Sequence, residues 1–163
     1  MKKAVVITAS DSGYAGERED ISGQTAEDIL KQGGYEVVSR LLLPDDRNQL
    51  SEAMKKIADG YEADLIITTG GTGFSKRDCT PEATMDVIER AVPGIPEAMR
   101  AYSMSITKRA MLSRGVAGIR KETLIVNLPG SPKAVQESLE YILPELKHGL
   151  EILAGETGNC ARK

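Results

Sequence analysis

The residues with the clearest chemical potential form a glycine-rich stretch, Thr69-Gly70-Gly71-Thr72-Gly73. It follows the apolar run Leu65-Ile66-Ile67, which predicts a strand buried on both faces. Glycines let the backbone approach a ligand closely and direct several N–H groups at one anion, and threonine adds a hydroxyl donor. The pattern is neither the dinucleotide fingerprint nor the P-loop, which requires Gly-Lys-Ser/Thr. We interpret it as an anion-binding turn, with an ordinary tight turn as the alternative.

A second turn of the same kind is Leu128-Pro129-Gly130-Ser131. It ends a predicted strand and opens a predicted helix, so its amides and the Ser131 hydroxyl can meet a phosphate. Taken alone, an ordinary strand-to-helix connection explains it better. Because the glycine-rich stretch is a similar turn at the same sheet edge, phosphate binding and an ordinary connection become about equally well supported for this turn.

Two carboxylates, Asp45 and Asp78, lie close to these turns in the predicted order of elements. Asp46 precedes Gln49 by three residues, as in a capping box, which assigns Asp46 to the helix and leaves Asp45 free. Two carboxylates at one sheet edge can hold Mg²⁺ against a triphosphate or orient an attacking group. The alternative is a pair of turn acids that accept backbone N–H groups, and it applies equally to Asp11 and Asp20.

Several other chemistries are excluded or disfavoured. His148 is the single histidine, so a Ser-His-Asp triad and a two-histidine metal site are excluded. It lies off its helix's apolar stripe, which predicts an exposed position. Cys79 has no histidine to activate it and an acidic neighbour, so we assign it no nucleophilic role. Arg100 and Ser113-Arg114-Gly115 are candidate contacts for a second anionic group, with solvated surface as the alternative.

The composition predicts one domain over residues 1–163 in the cytoplasm. The two cysteines, Cys79 and Cys160, form no disulfide framework and no zinc spacing, which fits a reducing compartment. The net charge is −3 without a long basic block, which argues against nucleic-acid binding. The apolar run after Met1 is too short for a signal peptide, and no stretch reaches transmembrane length.

The element pattern predicts an α/β fold of three layers, a mostly parallel sheet with helices on both faces. The predicted strands are 3–8, 35–43, 64–69 and 122–127, with a short one at 115–119. Predicted helices follow a Ser22 cap, the Asp46 cap and a Thr80 cap with Pro81 in the first position. Pro93–Pro96 ends the third and starts another to about Ser105. A last helical region follows Pro132, with a kink or break at Pro144. Ligands bind beyond the carboxyl ends of such strands.

In combination, these motifs resemble the molybdopterin adenylyltransferases, which include the bacterial MogA enzymes and the amino-terminal domain of gephyrin. The resemblance runs over nearly the whole chain. The motifs that carry it are Ser10-Asp11-Ser12, Asp20-Ile21-Ser22-Gly23, Leu43-Pro44-Asp45-Asp46, Thr69-Gly70-Gly71-Thr72-Gly73-Phe74, Arg77-Asp78-Cys79-Thr80-Pro81-Glu82-Ala83-Thr84, Pro93-Gly94, Leu112-Ser113-Arg114 and Asn127-Leu128-Pro129-Gly130. One departure is Ile21, where many members carry a basic residue.

The resemblance implies that molybdopterin and Mg-ATP give adenylylated molybdopterin and pyrophosphate, in a molybdopterin-binding fold. Asp45 and Asp78 match the family's catalytic pair and are the predicted magnesium ligands. Ser12 and Ser113 match positions linked to the pterin. It also implies a homotrimer and hand-over to a molybdenum insertase. The predicted binding residues are Ser10, Asp11, Ser12, Thr69, Gly70, Gly71, Thr72, Gly73, Phe74, Thr80, Pro81, Ser113, Arg114, Asn127, Leu128, Pro129, Gly130 and Ser131.

Two alternatives stay open. MoaB-type proteins of the same superfamily keep the glycine loop, and some bind without adenylylation. The presence of Asp45, Asp78 and Asn127 favours an active enzyme. A scaffold module, by analogy with gephyrin's other regions, is disfavoured because no such extra regions are expected here.

Overall fold

The structure, a computed structural model, describes residues 1–156 of the chain. The strands are β1 (Lys3–Ala9), β2 (Glu36–Leu43), β3 (Leu65–Thr69), β4 (Arg90–Ala91), β5 (Ala117–Arg120) and β6 (Thr123–Leu128). The α-helices are α1 (Asp11–Tyr14), α2 (Ile21–Gln32), α3 (Arg47–Asp59), α4 (Thr80–Met85), α5 (Gly94–Met104) and α6 (Pro132–Leu153), and a 3₁₀ helix spans Lys108–Leu112. Among the described residues, no helix is both long and apolar enough to cross a membrane.

The six strands form one mixed sheet in the order β2-β1-β3-β6-β5-β4. The first four strands are parallel, whereas β5 runs antiparallel to β6 and β4 antiparallel to β5. The β5–β6 connection is a tight turn in which Lys121 has φ 51°. This arrangement confirms the predicted α/β fold with a mostly parallel sheet, and the antiparallel strands form one edge of it.

Two apolar layers cover the sheet. Successive residues of the central strands alternate between the layers, since neighbouring side chains of a strand point to opposite faces. Val6 and Ile67 pack with the buried residues of α2 and α6, and Ile7 and Ile66 pack with those of α3. Helices therefore lie on both faces, as predicted. The sheet's carboxyl edge is left free for the loops that carry the polar residues.

Two of the three predicted helix caps are wrong. Helix α2 is capped by Asp20, whose Oδ1 accepts from the Gly23 N–H at 2.9 Å. Ser22 lies inside the helix and donates its hydroxyl to the Gly130 carbonyl at 2.6 Å. Thr80 is the first residue of α4, after Cys79, and its hydroxyl donates to the Gly70 carbonyl at 2.9 Å. The Asp46 cap is confirmed by the 2.8 Å hydrogen bond from the Gln49 N–H.

Two helix assignments also differ from the prediction. Residues 11–14 form a helical turn, where a loop was predicted, because the Ser10 hydroxyl accepts from the Gly13 N–H. Helix α4 ends at Met85 rather than near Pro93, since backbone bonds from residues 89 and 92 to β5 draw this segment to the sheet edge.

Helix α6 is continuous from Pro132 to Leu153 with Pro144 inside it. The alternative of two helices is therefore wrong, and a kink at Pro144 stays a prediction. Buried residues on both sides of the proline hold the helix against the sheet, among them Leu143 and Leu146. His148 is exposed, as predicted.

Candidate functional site

The loops that follow β1, β2, β3 and β6 meet at the carboxyl edge of the sheet, because these strands are parallel. They enclose a cavity of about 550 Å³, which we call the polar cavity. Ten of the twenty predicted site residues line it: Ser10, Asp11, Ser12, Asp45, Thr69, Gly70, Gly71, Asp78, Gly130 and Ser131. Arg18 and Pro132 also line it and were missed, although a basic residue in the segment between β1 and α2 was a usable signal.

The glycine loop has two residues in the left-handed region, Gly70 with φ 89° and Gly71 with φ 69°. A Cβ at Gly70 would overlap the Ala9 carbonyl oxygen, and one at Gly71 would overlap the Thr80 hydroxyl and lie 3.1 Å from Asp45 Oδ1. Glycine is thus required here by backbone conformation and by close packing. The loop is thereby brought against Asp45.

The N–H groups of the same loop are available to a ligand. Within residues 1–156, the amides of Gly71, Thr72 and Gly73 donate to no protein acceptor. Backbone amides that have no partner in the protein are suited to bind an anion. This observation favours the anion-binding interpretation over that of an ordinary tight turn.

The carbonyl groups of the two turns, in contrast, are bonded to side-chain hydroxyls. Thr69 donates to the Pro129 carbonyl at 2.7 Å, which ties the glycine loop to the Pro129-Gly130 turn. The hydroxyls of Ser22 and Thr80 bind the Gly130 and Gly70 carbonyls in the same way. The predicted contacts Thr69 and Thr80 therefore use their hydroxyls within the protein, where they orient the turns.

Asp45 and Asp11 form a reciprocal pair that joins two loops. The Asp11 N–H donates to Asp45 Oδ2 at 3.0 Å, and the Asp45 N–H donates to Asp11 Oδ1 at 2.9 Å. Asp45 Oδ1 is buried and has no hydrogen-bond partner among the described residues. Burial raises the pKa of Asp45, with further increases from the charges of Asp11 and Asp78, against the Asp11 N–H and Arg77. The unpartnered oxygen is available to a cation.

Arg77 binds Asp11 through two of its nitrogens. Its Nε and Nη2 donate to Asp11 Oδ2 and Oδ1 at 3.0 and 3.1 Å. The hydrogen bond from Arg77 lowers the pKa of Asp11, and the backbone bond from Asp45 acts in the same direction. With these donors bound, the Asp11 carboxylate serves to fix the position of Asp45.

Asp78 lines the same polar cavity and lies beside Gly73. Its Oδ2 accepts from the Ser75 N–H at 3.1 Å and would lie 2.9 Å from a Cβ at Gly73. Among residues 1–156, no group of three or more histidine, cysteine or acidic side chains could hold a metal ion. Two carboxylates with a free oxygen fit Mg²⁺, which keeps several waters and uses substrate phosphates as further ligands.

A second cavity, of about 300 Å³, lies on the other side of the glycine loop, and we call it the apolar cavity. Thr72 and Gly73 line it, as do Asn127 and Pro129. Its surface is mainly apolar, but the charged side chains of Arg100, Arg109 and Glu137 and the hydroxyls of Ser113 and Ser138 also line it. The apolar residues of its wall include Pro96, Met99, Ala110, Leu112 and Ala134. The Ser138 hydroxyl is buried and has no partner in the described chain.

The basic residues predicted to bind a second anion are engaged within the protein. Arg100 donates from Nη1 to the Ser113 and Gly115 carbonyls at 3.3 and 2.9 Å. Arg114 donates to the Gly73 and Asp78 carbonyls at 2.8 and 3.1 Å and forms an ion pair with Glu82. An additional contact of either arginine with an anionic ligand stays a prediction.

Asn127 is also engaged within the protein. Its side chain, 1% exposed, donates to the hydroxyls of Thr68 and Thr84 at 2.9 Å each and accepts from the Val116 N–H at 3.2 Å. All of these partners are protein groups, so the amide links β6 to β3 and α4. A role for Asn127 in ligand binding stays a prediction.

The remaining predicted residues differ in their exposure to solvent. Phe74 is 72% exposed, whereas Pro81 and Leu128 are buried. Ser131 caps α6 through the Ala134 N–H.

Burial raises the pKa of the Cys79 thiol, which fits the absence of a nucleophilic role. Cys160 lies outside the described residues.

Fold and site together define an α/β protein with a glycine loop beside a polar cavity at the carboxyl edge of its sheet. A family model described as a probable molybdopterin binding domain matches residues 5–148. A Helicobacter pylori protein, named molybdopterin adenylyltransferase, is 39% identical over 92% of this chain and 86% of its own length.

Two solved structures are similar to this chain over most of its length. MoaB from Thermus thermophilus has a TM-score of 0.90 at 45% identity, with 95% of this chain and 98% of that chain covered. A structure of MogA has a TM-score of 0.87 at 36% identity, covering 93% and 99%. The chain belongs to the molybdopterin-binding MogA and MoaB family of molybdenum cofactor biosynthesis.

Proposed function

We propose that the protein is an adenylyltransferase that activates molybdopterin with Mg-ATP. The observation that carries the proposal is the polar cavity, in which Asp45 and Asp78 both lie beside the glycine loop and Asp45 Oδ1 is unpartnered among the described residues. The relative named molybdopterin adenylyltransferase supports the same reaction.

In the proposed reaction, an oxygen of the molybdopterin phosphate attacks the α-phosphorus of ATP. A new P–O bond forms, the bond between the α-phosphorus and the bridging oxygen breaks, and pyrophosphate leaves with its electron pair. Mg²⁺, when bound, neutralises charge on the phosphates. The attack needs no side-chain nucleophile, which agrees with a single exposed histidine and an unactivated cysteine. Positioning and charge neutralisation supply the rate enhancement.

Each residue has a role in this scheme. Asp45 offers Oδ1 to the metal, held in place by Asp11, and Asp78 supplies the second carboxylate. The free amides of Gly71, Thr72 and Gly73 bind phosphate oxygens. The apolar cavity, beside the same loop, accommodates a flat heterocycle.

The test is to mix the purified protein with molybdopterin and α-labelled ATP and to measure adenylylated pterin and pyrophosphate. We expect both products from the wild-type protein and neither above background from Asp78→Asn. Asp28→Asn, on the exposed face of α2, is the matched control and is expected to retain full turnover. Product from Asp78→Asn at the wild-type rate would leave Asp78 with a structural role only.

A second candidate is a MoaB-type protein that binds its ligands without adenylylation, and the 45% identity to MoaB from Thermus thermophilus favours it. This function predicts that ATP or molybdopterin binds with no release of pyrophosphate. Calorimetric titration of ATP and molybdopterin, followed by a pyrophosphate assay on the same samples, separates the two candidates.

We further propose one domain over the whole chain, a homotrimer, a cytoplasmic location and transfer of the product to a molybdenum insertase. These four proposals rest on the sequence and the family resemblance. Light scattering on the purified protein measures its molar mass in solution. A mass other than that of three chains would overturn the trimer.

A further inference from the structure

We propose that Arg114 is a positioning residue that closes the loop carrying Asp78, and that Arg100 supports it from α5. This inference rests on the proposed function only where Asp78 is assigned a part in the reaction. The hydrogen bonds from Arg114 to the loop, which we call the clamp, are a feature of the folded chain.

The Arg114 side chain binds both ends of one loop. Its Nε donates to the Gly73 carbonyl at 2.8 Å and its Nη2 donates to the Asp78 carbonyl at 3.1 Å. A single rigid guanidinium thereby sets the separation of the two ends of the 73–78 loop. The Arg114 N–H adds a third bond, to the Thr72 carbonyl at 2.9 Å.

The loop between these ends has few other anchors. All four of its middle side chains, at positions 74–77, are exposed. The loop's internal bonds join Ser75 and Asp78 in both directions, N–H to Oδ2 at 3.1 Å and N–H to carbonyl at 3.0 Å. Arg77 adds an exposed pair with Asp11. The contacts of Arg114 join the base of the loop to the rest of the fold. They thereby set the direction of Asp78.

Glu82 holds the guanidinium in this position. It forms an ion pair with Arg114 Nη1 from the first turn of α4. The planar arginine fork serves carbonyls on one side and a carboxylate on the other, which a lysine ammonium cannot reproduce. Glu82 and Arg114 therefore connect the base of the loop to α4.

Arg100 connects this support to α5. From α5, it donates to the carbonyls on both sides of Arg114, those of Ser113 and Gly115. The backbone that carries Arg114 is thus held by another arginine. Helix α5, Arg100, Arg114 and Asp78 form a continuous chain of contacts.

The test compares Arg114→Ala, Arg114→Lys and Glu82→Gln with Arg90→Ala, a control at an exposed arginine on β4. Hydrogen exchange of residues 71–80 is measured by mass spectrometry. We expect exchange to rise roughly tenfold in Arg114→Ala, since local opening becomes easier when the clamp is lost. Arg114→Lys should rise less, and Arg90→Ala should match wild type.

The second measurement separates positioning from substrate contact. We expect kcat of Arg114→Ala to fall about 100-fold, as for a misplacement of about 1 Å, with KM for Mg-ATP within about twofold of wild type. Millimolar guanidinium should restore part of kcat in Arg114→Ala and none in Asp78→Asn. Should Arg114→Ala fail to fold, Arg114→Lys and Glu82→Gln take its place in both measurements.

Unchanged exchange in all folded Arg114 variants would overturn the clamp. A large rise in KM at constant kcat would overturn positioning and indicate a direct substrate contact. If the wild-type protein transfers no adenylyl group, the proposed function fails by itself, and the exchange measurement still supports or overturns the clamp.

Discussion

The two cavities beside the glycine loop differ in the chemistry of their walls. The polar cavity, about 550 Å³, contains the carboxylates of Asp11, Asp45 and Asp78. The apolar cavity, about 300 Å³, has a mainly apolar surface, although the charged side chains of Arg100, Arg109 and Glu137 also line it. Gly70 and Gly71 line the first, whereas Thr72 and Gly73 line the second. One loop thus separates a cavity with three carboxylates from a cavity whose surface is mainly apolar.

This difference predicts that charge substitutions in the polar cavity remove the reaction without removing ring binding. For the double variant Asp45→Asn/Asp78→Asn we expect turnover to fall about 1,000-fold or more, because charge stabilisation is the largest contribution to such reactions. The affinity for an uncharged pterin should stay within about twofold of wild type. Pyrophosphate release and pterin fluorescence measure the two effects. A parallel loss of pterin affinity would contradict the separation of the cavities.

The next largest effect is expected at the loop between the cavities. Gly71→Ala places a Cβ against the Thr80 hydroxyl at φ 69°, and Gly34→Ala is a matched control at φ 86° with no atom within 4 Å of its Cβ. Both variants bear a backbone penalty of about 1–2 kcal/mol in the free energy of unfolding. We expect Gly71→Ala, but not Gly34→Ala, to lose turnover by about 100-fold, because the added Cβ forces the loop away from Asp45. Equal turnover in the two variants, measured beside thermal unfolding, would show that loop placement is unimportant.

A smaller effect is expected from the residue that orients Asp45. Asp11→Ala removes the acceptor of the Asp45 N–H, whereas Asp11→Asn keeps an acceptor and removes the ion pair with Arg77. We expect a loss of roughly 10-fold in kcat for the alanine variant, as for residues that orient a metal ligand. The asparagine variant should lose less than about threefold, because exposed ion pairs contribute little. If asparagine were as damaging as alanine, charge rather than orientation would be the role of Asp11.

The smallest effect is expected in the apolar cavity. Ser138 is 1% exposed and its hydroxyl has no partner in the described chain. Ser138→Ala removes a buried unsatisfied group, so we expect an increase of up to about 1 kcal/mol in the free energy of unfolding. Ligand affinity should be unchanged. A roughly tenfold loss of pterin affinity in a calorimetric titration would instead show that this hydroxyl binds the ring.

Much of the fold followed from local patterns. The buried strand before the glycine loop, the Asp46 cap and the separate position of Asp45 were predicted from residue type and spacing and agree with the structure. The wrong caps have one cause. Ser22 and Thr80 are good capping residues, but their hydroxyls bind carbonyls of Gly130 and Gly70 in other loops. No local pattern reports such partners.

The sequence by itself determined which residues reach the carboxyl edge of the sheet, because strand order in an α/β chain and the types of residue after each strand decide it. Only the tertiary structure decided which polar groups remain free there. Within residues 1–156, Asp45 Oδ1 and the amides of Gly71 and Gly73 are free, whereas Arg114 and Asn127 are occupied by protein partners. The reason is physical: a hydrogen bond is satisfied by whatever lies within about 3 Å in space, irrespective of distance along the chain.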